Sequence, residues 1–151
     1  MTISFDLDDT LYPSSKSFDF EKKSLFQNIT GIERMRLGTK YLVKMLRKEG
    51  YKVYIYTTSY RSIVKIKWTF FTYGIRIDRV INQQVHNKTL KQRASHFSKY
   101  PPAFDIDVHV DDSNGVQTEG FRYGFKTIII APDSTTWTED ILQELTGTTN
   151  K

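Results

Sequence analysis

Five short apolar runs, each followed by a longer stretch of helical periodicity, set the frame of this sequence. The runs are Thr2 to Asp6, Val53 to Thr57, Arg79 to Asn82, Asp107 to Asp111 and Thr127 to Ala131. Few polar residues interrupt them, as expected of strands buried on both faces. Between them, RLGTKYLVKMLRKEG places Leu37, Tyr41, Leu42, Met45 and Leu46 at helical spacing, with Gly50 as the stop. SYRSIVKIKWTFFTYG repeats the scheme up to Gly74, KTLKQRASHFSKY ends at Pro101, and GVQTEGFRYG leads to the last strand. A final helix is predicted to start near Thr136, in TTWTEDILQEL. This alternation predicts an α/β fold of three Rossmann-like layers: a central parallel sheet of about five strands, helices on both faces and right-handed crossovers.

Ligands of such folds bind beyond the carboxyl ends of the strands, and here polar residues gather at those ends. ISFDLDDTLY runs into Asp6, Asp8 and Asp9, VYIYTTS into Thr57, Thr58 and Ser59, and DVHVDDSNG into Asp111 and Asp112. Like charges packed this closely cost free energy unless something positive shares the site. Two acidic clusters from different strands make a hard oxygen-donor site, which suits Mg²⁺. A carboxylate there can attack phosphorus, a second carboxyl two residues along can move the proton, and a hydroxyl and a lysine can hold the phosphoryl group. Asp9 reads as a turn residue. His109 alternates with Asp111 and reads as a hydrogen-bonded core histidine, and His86 lies beside the lysine discussed next.

On these residues the chain resembles the haloacid dehalogenase-like superfamily, which is dominated by Mg²⁺-dependent phosphatases. An apolar strand ending in D-x-D-x-T matches Ile3 to Thr10, a strand closed by a hydroxyl matches VYIYT, and a strand ending in paired acids matches VHVDDS. The resemblance implies Asp6 as nucleophile and metal ligand. It implies Asp8 as general acid/base that also binds metal through its carbonyl, and Thr57 as phosphoryl holder. Asp112, with Asp111 close by, would retain Mg²⁺. The superfamily's lysine, near the start of a helix some twenty-odd residues before the acidic pair, is assigned to Lys88 in HNKTLKQR, with Lys91 as the alternative. The acid two residues after the nucleophile points to a phosphatase acting through an aspartyl phosphate, and Asn114 and Val116 replace a further acid that many relatives carry.

Residues 1–151 read as one domain, because no linker divides them, and residues 12–35 leave room for a small flap but not for a cap domain. An uncapped site is open to bulky or macromolecular phosphorylated substrates. Composition adds three points. No apolar run is long enough to cross a bilayer, and no signal-like segment opens the chain, so a cytoplasmic location is expected. The absence of cysteine excludes disulfides and thiolate metal sites. The net charge of +5 is uneven, with sixteen Lys and Arg against two acids from Arg34 to Lys99, which suggests an anionic partner. Aromatics from Tyr51 to Tyr73, including Trp68, Phe70 and Phe71, are interleaved with that charge. Core packing accounts for most of them. The alternative is a nucleic-acid-binding protein, or a phosphatase of nucleic-acid ends.

Overall fold

The computed structural model describes residues 1–16 and 18–147. Five strands form one sheet: β1 (Thr2–Phe5), β2 (Lys52–Tyr56), β3 (Arg79–Ile81), β4 (Val108–Asp111) and β5 (Lys126–Ile129). The order is β3-β2-β1-β4-β5, and every neighbouring pair is parallel. Between the strands lie helices α1 (Leu25–Ile29), α2 (Thr39–Lys48), α3 (Ile63–Thr72), α4 (Gln83–Leu90) and α5 (Asn114–Tyr123), and α6 (Trp137–Thr146) follows the last strand. The three-layer α/β architecture expected from the sequence is the one observed, with the Asp6 strand at its centre.

Strand residues alternate between two unlike faces. Ile3, Phe5, Val53, Ile55, Val108 and Val110 point into the main core, where Leu42 and Leu46 of α2, Ile66 and Phe70 of α3, and Ile141 of α6 meet them. The opposite face carries a small apolar cluster of Tyr56, Ile81, Phe104 and Ile106. Beside that cluster, β1 and β4 bring buried polar groups to the same face: Ser4, Asp6 just beyond β1, His109 and Asp111. A sheet with one apolar face and one buried polar face supports a site on the latter. The α5 crossover packs tightly because Gly120 has no side chain: a Cβ there would stand 2.9 Å from the Phe125 carbonyl oxygen and from the Thr127 methyl.

One local reading needs correction. The helix expected over KTLKQRASHFSKY begins earlier and ends earlier. Asn82 caps α4 by accepting from the Val85 N–H at 3.0 Å, and Lys91, at φ +53°, ends it. Residues Lys91–His96 and Pro101–Phe104 then form 3₁₀ turns. Most aromatics between Tyr51 and Tyr73 pack in the core as expected, Tyr51 and Tyr54 among them as partly buried side chains. Tyr56, Phe70 and Tyr73 are buried, whereas Tyr60, Trp68 and Phe71 are exposed. Between β1 and α2 the only helix among the described residues is the five-residue α1, capped by a reciprocal Ser24–Gln27 box. No helix among the described residues is long and apolar enough to cross a membrane.

Candidate functional site

The strand order reverses between β1 and β4, and at such a switch point the diverging crossovers leave a crevice beyond the strand ends. Asp6 follows β1 directly and continues its ladder, donating its N–H to the Val110 carbonyl at 2.9 Å. Asp111 closes β4, and Asp112 follows it. One carboxylate oxygen from each of Asp6, Asp111 and Asp112 lies within 4.8 Å of the other two. Asp6 and Asp111 are buried and Asp112 is half-buried. Burial pushes the Asp6 carboxyl up from its ordinary value, even against the pull of Lys99. Burial also raises Asp112, reinforced by the charges of Asp111 and Asp6.

The cation among them is Lys99. Its ammonium, 2% exposed, donates to Asp6 Oδ1 at 2.5 Å and to the Tyr56 carbonyl at 2.6 Å. It also stands 3.8 Å from Asp111 Oδ2. Lys99 is held from two sides. Glu119 of α5 accepts from the N–H groups of Ser98 and Lys99 at 3.0 and 3.1 Å, and from the Ser98 hydroxyl at 2.7 Å. On the other side, the Tyr100 N–H donates to the Tyr56 hydroxyl, which pairs with His86 Nδ1 at 2.6 Å. His86 Nε2 in turn meets the Ala94 carbonyl at 3.2 Å.

His109 is fully buried. Its Nε2 lies 3.0 Å from Asp111 Oδ2 and its Nδ1 2.8 Å from the Ser4 hydroxyl. Burial holds the imidazole below its ordinary value, so it is neutral, and the acceptor-only carboxylate fixes the proton on Nε2. Burial would raise Asp111 too, but the His109 hydrogen bond and the Lys99 charge outweigh it and keep that carboxyl low. His109 is the hydrogen-bonded core histidine expected from its alternation with Asp111.

Thr57 is buried at the end of β2. Its N–H donates to the Ile81 carbonyl at 2.9 Å, and its hydroxyl oxygen accepts from the Ser59 N–H at 3.1 Å. The hydroxyl proton has no acceptor among the described residues and is available to a ligand. Asp8 is brought to the same edge but not into the three-carboxylate cluster. Its Oδ2 accepts from Arg61 at 2.9 Å, and Arg61 also donates to Glu33 at 3.1 Å. The turn after β1 is tight: Leu7 O accepts from the N–H groups of Thr10, Leu11 and Tyr12, and Asp9 takes φ +60°. Asp9 anchors the flap, accepting from the Ser14 and Lys16 N–H groups and the Ser15 hydroxyl, as a turn residue would. Thr10 is thereby placed to donate to Asp112 at 3.3 Å.

Neither Lys88, to which the sequence reading assigned the site lysine, nor the alternative Lys91 joins the acidic cluster. Lys88 is exposed in the last turn of α4, Lys91 is exposed at that helix's end, and neither has a hydrogen bond or ion pair to the acidic cluster among the described residues. The assignment followed a helix start placed at Lys88, and that start is at Asn82. Lys99 stands before Tyr100, Pro101 and Pro102, where proline pre-sets the next helical turn, and that place marks a turn but not a buried lysine. Arg36 was also missed. It is fully buried between the Phe18 and Trp137 rings, and it donates to the carbonyls of Thr10, Ala131, Pro132 and Ser134. It thus ties the loop after β5 to the turn that carries Thr10. No protein-family model and no curated protein matches this chain.

Proposed function

We propose that the protein is a Mg²⁺-dependent phosphatase that hydrolyses a phosphate monoester through an aspartyl phosphate on Asp6. The observation that carries this reading is the contact of Lys99 with Asp6 inside a three-carboxylate cluster at the switch point. Three carboxylates and one ammonium leave a formal charge of −2 in a largely buried space, and all the donors are hard oxygens. That donor set fits Mg²⁺, which Asp6, Asp111 and Asp112 would hold. When bound, the ion offsets carboxylate repulsion and polarises a phosphoryl oxygen.

The chain's own groups supply the rest. Asp6 is fixed by its backbone ladder and by Lys99, so its carboxylate presents a set direction to an incoming phosphorus. The Asp6 carboxylate forms the new O–P bond as the ester O–P bond breaks, and water later cleaves the acyl phosphate. Lys99 and the free proton of the Thr57 hydroxyl stabilise charge on the transferring group. Asp8 gives a proton to the leaving oxygen and then takes one from water. Protonation of Asp8 weakens its hold on Arg61, and Glu33 keeps Arg61 in place meanwhile. The neutral His109 holds Asp111 through Nε2–H. The resemblance to the haloacid dehalogenase-like superfamily supports the same roles for Asp6, Asp8 and Thr57, and the reading places the protein in the cytoplasm.

Hydrolysis of an aryl phosphate, with and without Mg²⁺, tests the proposal. Wild type should turn over only with metal, and Asp6→Asn should be inactive. Equal activity in Asp6→Asn would remove the nucleophile and the proposal with it.

A further inference from the structure

The outer face of α3 carries exposed aromatic side chains that the proposed site does not use. Its residues Val64, Trp68 and Phe71 recur at helical spacing and are 78%, 48% and 69% exposed. Trp68 and Phe71 stack on each other with ring centres 5.6 Å apart. Beyond Phe71 the surface dips into a hollow of about 460 Å³, walled by Ile75 and Ile77 and bordered by Lys67 and Arg76. From Ser62 to Ile77 there is no acid. The nearest acids are already taken, since Glu33 binds Arg61 and Lys65, and Asp78 binds Arg47. Neither Lys67 nor Arg76 has an ion-pair partner among the described residues.

The amino end of α3 adjoins the site, and the hollow lies at its far end, beside Asp78, which accepts from the Val53 N–H near the start of β2. α3 starts two residues after Arg61, which holds Asp8, and the exposed Tyr60 stands just before it. At the helical rise, Trp68 and Phe71 lie about 8 and about 12 Å along the axis from Ile63. Ring faces, a hollow with ample room for a planar base, and cations free to meet phosphodiesters are what a single strand needs, because its unstacked bases expose π-faces to aromatic side chains. A bilayer surface would leave the hollow unfilled, whereas a base can enter it.

We infer that the α3 face binds single-stranded nucleic acid and leads its phosphorylated end past Tyr60 to Asp6. This names the substrate class of the proposed phosphatase, and it rests on that reading only for what happens at the end of the strand.

The test uses the intact protein and a short oligothymidylate with a terminal phosphate. Of the two tryptophans, Trp137 is buried, so a fluorescence change on binding reports Trp68. Binding to Asp6→Asn, which prevents turnover, should quench that emission. Phe71→Ala should weaken binding at least about fivefold, the usual effect of losing one stacking partner. Replacing Lys67 and Arg76 together by Gln should reduce the slope of log K against log salt by about 1.4. Neither change should alter hydrolysis of an aryl phosphate, while both should reduce release of phosphate from the oligonucleotide. Absence of binding at low salt overturns the inference. A blue shift of Trp68 on phosphatidylserine vesicles without oligonucleotide binding also overturns it, in favour of a membrane. Aryl phosphatase activity without oligonucleotide binding defeats this inference alone. Oligonucleotide binding through Trp68 with neither ester hydrolysed defeats the phosphatase reading and leaves the binding surface standing.

Discussion

Lys99 and Lys88 carry the same charge in opposite surroundings, and the difference decides what each can do. The Lys99 ammonium is buried between Asp6 and the Tyr56 carbonyl, while Lys88 is exposed on α4. Removing one partner of a buried pair costs about 3–5 kcal/mol because the other charge is left uncompensated. Lys99→Met should therefore lower stability by about that much and abolish turnover. Lys88→Met should stay within about 0.5 kcal/mol, the usual range for a surface site. Denaturant unfolding of the two variants checks this, and similar losses for both would contradict the placement of Lys99. Asp8 acts by proton transfer, so Asp8→Asn should reduce turnover by roughly 10²–10⁴. A loss below twofold would reject that role. Asp6, Asp8, Thr57, Asp111 and Asp112 were legible because each ends or follows an apolar run. Lys99 was not, since nothing in its own spacing distinguishes a buried lysine from fifteen other cations in the same region.

Elements, rather than single contacts, explain why Lys99 points inward. The segment from Lys91 to Tyr100 is held to α5 by Glu119 and to β2 by the Tyr56–His86 pair. Glu119→Ala should leave Lys99 present but poorly placed, and reduce turnover about tenfold, as loss of an outer partner commonly does. Unchanged kcat in that variant would show that Glu119 does not position the lysine. Burial lowers the His86 pKa from its ordinary value of 6.5, so the folded protein favours the neutral ring. Its contribution is complete above pH about 6.5 and declines as pH falls from there through the lower folded-state value. Stability measured against pH should fall less steeply below 6.5 in His86→Asn than in wild type, and identical slopes would contradict a buried neutral His86. At this scale the strands were legible from their bounded apolar runs. The helix after β3 was misplaced because its start is set by a capping side chain, Asn82, while the apolar spacing around Lys88 is weak.

On the scale of the whole molecule, strand order does what no single motif can. β1 and β4 are neighbours at the reversal of the sheet, so residues more than a hundred positions apart, Asp6 and Asp112, converge on one crevice. The alternation of strands and helices foretold the layers, whereas the central place of β1 is seen only in the strand order, and the polar character of the second sheet face only when Ser4, His109 and Asp111 are seen to share it. A cation bound by the folded cluster but not by the unfolded chain must raise thermal stability. At a hundredfold excess over Kd the gain is about 2.7 kcal/mol. Mg²⁺ should raise the Tm of wild type and not of a protein carrying Asp111→Asn and Asp112→Asn together, and an equal rise in both would place the ion elsewhere. The central claim is covalent catalysis by Asp6, and mass spectrometry of acid-quenched protein during turnover tests it most directly. A phosphoryl group should be found on the peptide containing Asp6, and with an aryl phosphate, whose leaving group departs without a proton, it should accumulate in Asp8→Asn, where water is no longer activated. Turnover with no phosphoryl group on that peptide, or with the group on another residue, would contradict the account.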